Sequence, residues 1–304
     1  WDVQATYAKA SPDDLLIKFT ISNRGPETAT LVILPTLWFR NTWVWGCQHE
    51  GCWLKPSIRL PKEGGPLQIA HESLGDYVFV ADTVGEQKPT WLFTENESNS
   101  ERLWGVPNFS PYVKDAFHRW VINQEKAAVN PRHRGTKGAA HYRLSVSAGG
   151  SIAVRLRLAP KGKLPKKPFG AEFDQILQRR EQEAAEFYRA RLPATTTAEQ
   201  RQIMLQAYAG MLWSKQFYHY IIEDWLQGDA DQPKPPAERL KGRNADWPHL
   251  YCRDILSMPD KWEYPWFAAW DLAFHMISFA RIDPAFAKHQ LLLLLREWYM
   301  HPNG

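Results

Sequence analysis

A chain of 304 residues, 44% hydrophobic and 23% charged, is long enough for two domains and a sizeable core, and this balance excludes an intrinsically disordered protein. The formal charge of +4 comes from 37 basic and 33 acidic residues mixed along the sequence, which argues against a dedicated nucleic-acid surface. No apolar run approaches the roughly eighteen residues needed to span a bilayer, because Leu291 to Leu295 is flanked by Gln290 and Arg296, so no membrane partner is expected. Cys47, Cys52 and Cys252 form an odd set unlike a disulfide scaffold, and a reducing cytoplasm is the default location.

Trp1 to Tyr7 has no initiator Met and already reads as strand, which suggests that both ends of the chain are cut. Leu15 to Ser22 is the next strand, Asn23-Arg24-Gly25-Pro26 a turn, and Ala29 to Phe39 a further extended run, followed by short ones around Gln68, Val78 and Trp91. Tyr142, Leu144 and Val146 alternate with polar residues, Gly149-Gly150 offers a two-residue turn, and Ile152, Val154, Leu156 and Leu158 resume the period of two, which predicts a hairpin. Many antiparallel strands with long loops predict a β-sandwich-like N-terminal domain over residues 1–160.

Pro160 to Pro168 has no apolar period and reads as a linker, which with its following helix extends to residue 195. The remainder reads as helical. Ala171 to Arg191 is a charged helix, and Thr196 with Glu199 predicts a capping box opening a longer one through Trp225, ending near Gly228. Asp229 to Met258, with Lys234, Arg239, Lys241 and Arg243, reads as a long loop that is either a lid or a solvated face. Pro265 then starts a helix over Trp266 to Arg281, and Asp283-Pro284 starts one ending near Met300. Five consecutive leucines place apolar groups all around that last helix, so it is expected to be enclosed on every side.

The chemistry concentrates near the C-terminal end. Asp271 lies beside Trp270 and shares a flank with Phe267, Phe274 and His275, while Trp266 and Trp270 share a helix face. Burial among rings disfavours a charged carboxylate, which is what a general acid requires, and an acid set among aromatic rings is a common glycosidase pattern. Asp271 also fits a core or cap residue, and His275 fits either a core histidine or an orienting partner of Asp271. Trp262, Glu263 and Tyr264 offer rings and an acceptor for hydroxyl groups. Trp213, Ser214, Lys215 and Gln216 interrupt the earlier helix, and a Lys and a Gln beside aromatics need partners that a polyol ligand would supply, unless they face solvent.

Cys47-Gln48-His49-Glu50-Gly51-Cys52 gives half a metal site at most, since the nearest further histidine, His71, has no cysteine beside it. A Gly-rich phosphate loop and a Gly-x-Ser-x-Gly elbow are both absent from the sequence, so nucleotide and serine-hydrolase readings lack their parts, and the reading adopted below expects no cofactor.

Five segments carry a family resemblance: Leu34 to Trp43 (Leu-Pro-Thr-Leu-Trp-Phe-Arg-Asn-Thr-Trp), Asn108 to Arg119, Leu212 to Tyr220, Met258 to His275, and Arg296 to Gly304. On these the chain resembles bacterial glucosidases of glycoside hydrolase family 63, which include processing α-glucosidase I and mannosylglycerate-hydrolase-like enzymes. The resemblance implies a β-rich domain followed by an (α/α)6 toroid, of which residues 196–304 would be the first helices. It implies hydrolysis of α-glucosidic bonds with inversion. In that family an acid following a Trp on an early toroid helix protonates the leaving oxygen, which here is Asp271; Trp262, Glu263, Trp266, Trp270, Trp213, Lys215 and Gln216 would shape the sugar pocket. The general base matches no position, so this chain by itself is expected to lack turnover. The Cys47 to Cys52 loop departs from the family pattern. The rival readings are a trehalase-like or phosphorolytic enzyme on the same scaffold and a non-catalytic carbohydrate-binding module.

Overall fold

Period-two alternation builds the first half of the chain. The computed structural model describes residues 1–46, 52–230, 232–258 and 267–303, which fall into two units, 1–182 and 183–304. In the first unit β1 (Asp2–Ser11), β2 (Asp14–Ser22), β5 (Ser57–Arg59), β6 (Leu67–His71), β7 (Gly75–Ala81), β9 (Arg134–Gly135) and β11 (Ser151–Pro160) form one sheet in the order β1-β2-β11-β7-β6-β5-β9. A second sheet places β10 (Lys137–Val146) against β3 (Ala29–Ile33), β4 (Thr36–Trp38) and β8 (Thr90–Thr94), every pairing antiparallel. Ile21, Ile58, Leu67, Phe79 and Leu156 of the first sheet pack with Phe93, Tyr142 and Leu144 of the second in one core, which makes the unit a two-sheet sandwich.

The hairpin expected over Tyr142 to Leu158 does not form. β10 and β11 belong to different sheets, and Ser147 to Gly150 carries the chain from one to the other. Gly149 takes φ 64°, and a Cβ on Gly150 would stand 2.4 Å from Ser147 Oγ, so the glycine pair serves a tight inter-sheet link rather than a hairpin turn. Asn23, at the corner between β2 and β3, braces the same edge: its Nδ2 donates to Val146 O at 3.0 Å and to Glu27 O at 2.7 Å. Between β8 and β9 lie two short helices, α1 (Ser100–Trp104) and α2 (Ala116–Ile122). Cys52 is disulfide-bonded, whereas Cys252 is a free, buried thiol; Cys47 and His49 of the half-site reading lie outside the described residues.

In the second half the expectation of an all-helical chain is corrected. α3 (Ala171–Arg189) runs across the division between the units, and α4 (Ala198–Trp213) is opened by a capping box of Thr197 with Gln200, one residue beyond the expected Thr196 and Glu199. Thr196 instead donates to Pro193 O at 2.8 Å. α4 stops at Trp213, twelve residues short of the expected Trp225, and Lys215–Ile221 becomes β12. The run Phe217 to Ile221 is aromatic and β-branched, poor in a helix and well suited to a pleated strand. Its partner is β13 (Tyr251–Ser257), drawn from the stretch expected to be loop. After β12, a separate short helix, α5 (Ile222–Gln227), ends at Gly228, and α6 (Ala269–Ile282) and α7 (Pro284–Leu294) follow β13. Asp283 caps α7 by accepting from Phe286 N, with Pro284 in the first turn, as the sequence predicts. α7 ends at Leu294 rather than Met300. Its leucine run is not enclosed on every side, since Ala287, Gln290 and Leu293 are buried while Leu291, Leu292 and Leu295 are exposed. Among the described residues no helix is long and apolar enough to cross a membrane.

One buried ion pair ties the first unit together. Arg157 on β11 donates from Nε and Nη2 to the two Asp14 carboxylate oxygens at 2.9 and 2.6 Å, and from Nη1 to Pro168 O at 3.2 Å. Asp14→Ala leaves that guanidinium buried without its counter-charge and is expected to cost about 3–5 kcal/mol. Urea unfolding measures this, and a loss under about 1 kcal/mol would contradict the bracing role.

Candidate functional site

A stripe of apolar residues fixes how α6 presents Asp271. Leu272, Met276, Phe279 and Ile282, spaced by three and four, are buried in a core with Cys252 and Leu256 of β13, Met258, Trp247 and Tyr299. The opposite face carries Trp270 and Phe274, 69% and 62% exposed, with ring centroids 5.8 Å apart and planes at 80°. Asp271 is half-buried in the first helical turn at the boundary between these faces, a position where the free N–H groups of a helix start favour an acid. It therefore sits beside exposed rings rather than buried among rings. Phe267, expected on its flank, is turned into the core against Tyr299 and Trp247, at 5.3 and 6.1 Å between centroids. Trp262, Glu263 and Trp266 lie outside the described residues.

The polar residues at the α4 to β12 junction have internal partners. Lys215 Nζ donates to Asp283 Oδ2 at 2.6 Å and stands over the Phe286 ring at 4.2 Å. Gln216 Nε2 donates to Met258 O. The partners that the sequence reading assigned to a polyol come from α7 and from the residue following β13. Trp213, 83% exposed, projects from the end of α4.

His275 faces a serine pair. Its Nδ1 lies 3.0 Å from Ser257 Oγ, which lies 2.9 Å from Ser214 Oγ, and Ser214 donates in turn to Met211 O at 2.6 Å. Ser257 is fully buried, so this contact closes the core and does not present a nucleophile. Gln290 completes the brace, donating to Ile255 O at 2.9 Å and accepting from Ser257 N at 3.3 Å. Nearby, Tyr299 Oη donates to Asp254. Burial pushes the Cys252 thiol up to about 12, which keeps it protonated and inert. Sequence reading missed the roles of Ser257, Gln290 and Tyr299. Their only local signal is a polar group within an apolar run, and their partners lie 18 to 45 residues away. Among the described residues no cluster of three or more His, Cys, Asp or Glu side chains could hold a metal ion.

No family model matches the chain. The chain is similar to Uncharacterized protein YMR196W of Saccharomyces cerevisiae (strain ATCC 204508 / S288c), 41% identical over 324 residues. The match covers 97% of this chain and 30% of the yeast protein, so the chain spans under a third of that relative's length.

The Lys215 contact and the Phe286 N–H hold the Asp283 carboxyl below its usual 3.8. A carboxyl held low contributes stability that is present above its usual value and is lost as pH falls through the lowered one. Asp283→Asn is expected to flatten the acid-side decline in unfolding free energy, and Lys215→Met to shrink it likewise. Urea midpoints at neutral pH and below 3.8 check this; a decline as steep in both variants as in the parent would refute it.

Proposed function

We propose that this chain carries the general-acid part of an inverting glycoside hydrolase acting on α-glucosidic bonds. One observation carries the reading: Asp271, half-buried in the first turn of α6, directly follows Trp270 of an exposed edge-to-face pair with Phe274. Solvent-exposed rings are expensive to leave bare and are the surface on which the apolar face of a sugar stacks. A carboxyl at the rim of such a surface is placed to meet the glycosidic oxygen of a stacked sugar and deliver its proton. The five segments of family resemblance lend independent support, and they extend the reading to an (α/α)6 toroid begun by α4 and its successors.

In this mechanism Asp271 protonates the leaving oxygen while a second carboxylate, held by residues of the longer protein, activates water on the opposite face of the ring. The two carboxyls of an inverting pair stand roughly 6.5–9.5 Å apart to admit that water. Trp270 and Phe274 orient the sugar. Trp262, Glu263, Trp266 and Trp213 are assigned to the pocket walls. Lys215 and Gln216, already paired with Asp283 and Met258, act here by holding the end of α4 and β12 in place rather than by touching sugar.

The test uses the full-length protein and Asp271→Asn, with proton NMR following hydrolysis of α-glucosides. The β-anomer of glucose is expected to appear first, and Asp271→Asn to lower kcat by about 10²–10⁴-fold. Hydrolysis at the parent rate in Asp271→Asn removes the general-acid assignment. First appearance of the α-anomer removes inversion.

A further inference from the structure

Prolines fix the backbone that follows α5. The rings of Pro233, Pro235 and Pro236 each lock φ, and Gln232, Lys234 and Pro235 each precede a proline, which disfavours the helical region and leaves them extended. Pro236 accordingly takes φ −57° and ψ 143°, the polyproline II conformation. Residues 233–236 belong to no helix or strand.

The segment is pinned to α5 at two points. Pro235 packs on Gly228, the residue that ends α5. With φ 75° and ψ 179° this glycine holds a backbone that other residues avoid, and a Cβ there would stand 2.7 Å from Pro235 Cγ. Downstream, Pro236 leads into a 3-10 helix (Ala237–Lys241). From that helix Arg239 Nη1 donates to Trp225 O at 3.0 Å, and the Arg239 guanidinium lies 4.9 Å from the centre of the Trp225 ring.

Polyproline II repeats every three residues, so it has three edges. Pro233 and Pro236 share one edge and are exposed, while Pro235, on another, is the proline turned to Gly228. Lys234, on the third, is exposed and has no ion-pair partner among the described residues. Just beyond, Leu240 is 60% exposed and Lys241 is exposed. Bracing of the loop accounts for Pro235, and for Pro236 at the helix start; it gives Pro233 and Lys234 no task. An exposed ridge of proline rings is the shape that aromatic-lined grooves accept. Because its conformation is already fixed, docking it costs little further ordering. The lysines favour a groove with an acidic rim.

We infer that residues 232–241 are a docking element for a partner protein presenting an aromatic-lined groove with an acidic rim. Pro233 and Pro236 seat in the groove, and Lys234 and Lys241 meet the rim. The inference is independent of the Asp271 reading, since no residue of α6 enters it.

Purified SH3, WW and EVH1 domains, which read polyproline II in aromatic grooves, are the probes. Each is dye-labelled and titrated with the full-length protein, and binding is followed by fluorescence anisotropy. At least one domain is expected to bind saturably, and to bind about tenfold more weakly when Pro233→Ala and Pro236→Ala are combined. Lys234→Glu is expected to weaken it as well, and replacing the groove tryptophan of the probe by alanine to abolish it. Pro233→Ala alone changes an exposed residue outside both anchors, so reduced binding with an unchanged Tm separates docking from folding. Absence of saturable binding to every domain would overturn the inference. So would parent affinity in the combined proline variant, or binding that survives loss of the groove tryptophan.

Discussion

The rotation of α6 about its own axis is the constraint on which the candidate chemistry depends. Leu272, Met276, Phe279 and Ile282 are held in the core of the second unit, and each apolar side chain of this size contributes about 1.5–3 kcal/mol by leaving water. Turning the helix by one residue would lift several of them out together and drive Asp271 inward without a partner, at a further cost for a buried charge. Asp271 is therefore fixed at the boundary, and Trp270 and Phe274 are fixed outside, by side chains that never touch a ligand. Packing on one face sets the chemistry available on the other.

The polar residues of the second unit divide by the same logic. Ser214, Ser257, His275, Gln290, Lys215 and Gln216 all lie where the β12–β13 pair meets α4, α6 or α7, and each has an internal partner. A satisfied buried network fixes one arrangement, because slipping any element leaves several groups unmatched. Gln290 does this most directly: fully buried, it bonds the backbone of β13 at two points from α7. Such residues read in a sequence as candidates for ligand contact, since a polar group in an apolar run looks unpaired until the fold supplies its partner.

Local signals were legible where the cause is local. The Asp283-Pro284 helix start, the strand over Leu15 to Ser22 and the stop at Gly228 each follow from a cap, an alternation or a left-handed glycine. The misreadings share a different cause. Tyr142 to Leu158 has the same alternation and the same glycine pair whether its two strands pair with each other or part into separate sheets; the choice is made by β2, β3 and β7, which are distant in sequence. Lys215 to Ile221 follows a genuine helix, and its strand preference becomes a strand where Tyr251 to Ser257 pairs with it. At the candidate site, the helical spacing that puts Phe274 near Asp271 on α6 was legible locally. The turning of Phe267 into the core was not, because Trp247 and Tyr299 decide it.

Asp115 shows how neighbouring donors can outweigh burial at a carboxyl. Burial pushes the Asp115 carboxyl up, yet the Asn99 amide and the Arg119 guanidinium outweigh it and hold the group below its usual value. A carboxyl so held stays ionised at neutral pH and accepts hydrogen bonds; it does not deliver a proton. Asp271 stands beside rings, and the residue four positions on, His275, is turned to Ser257 rather than serving as a cationic clamp.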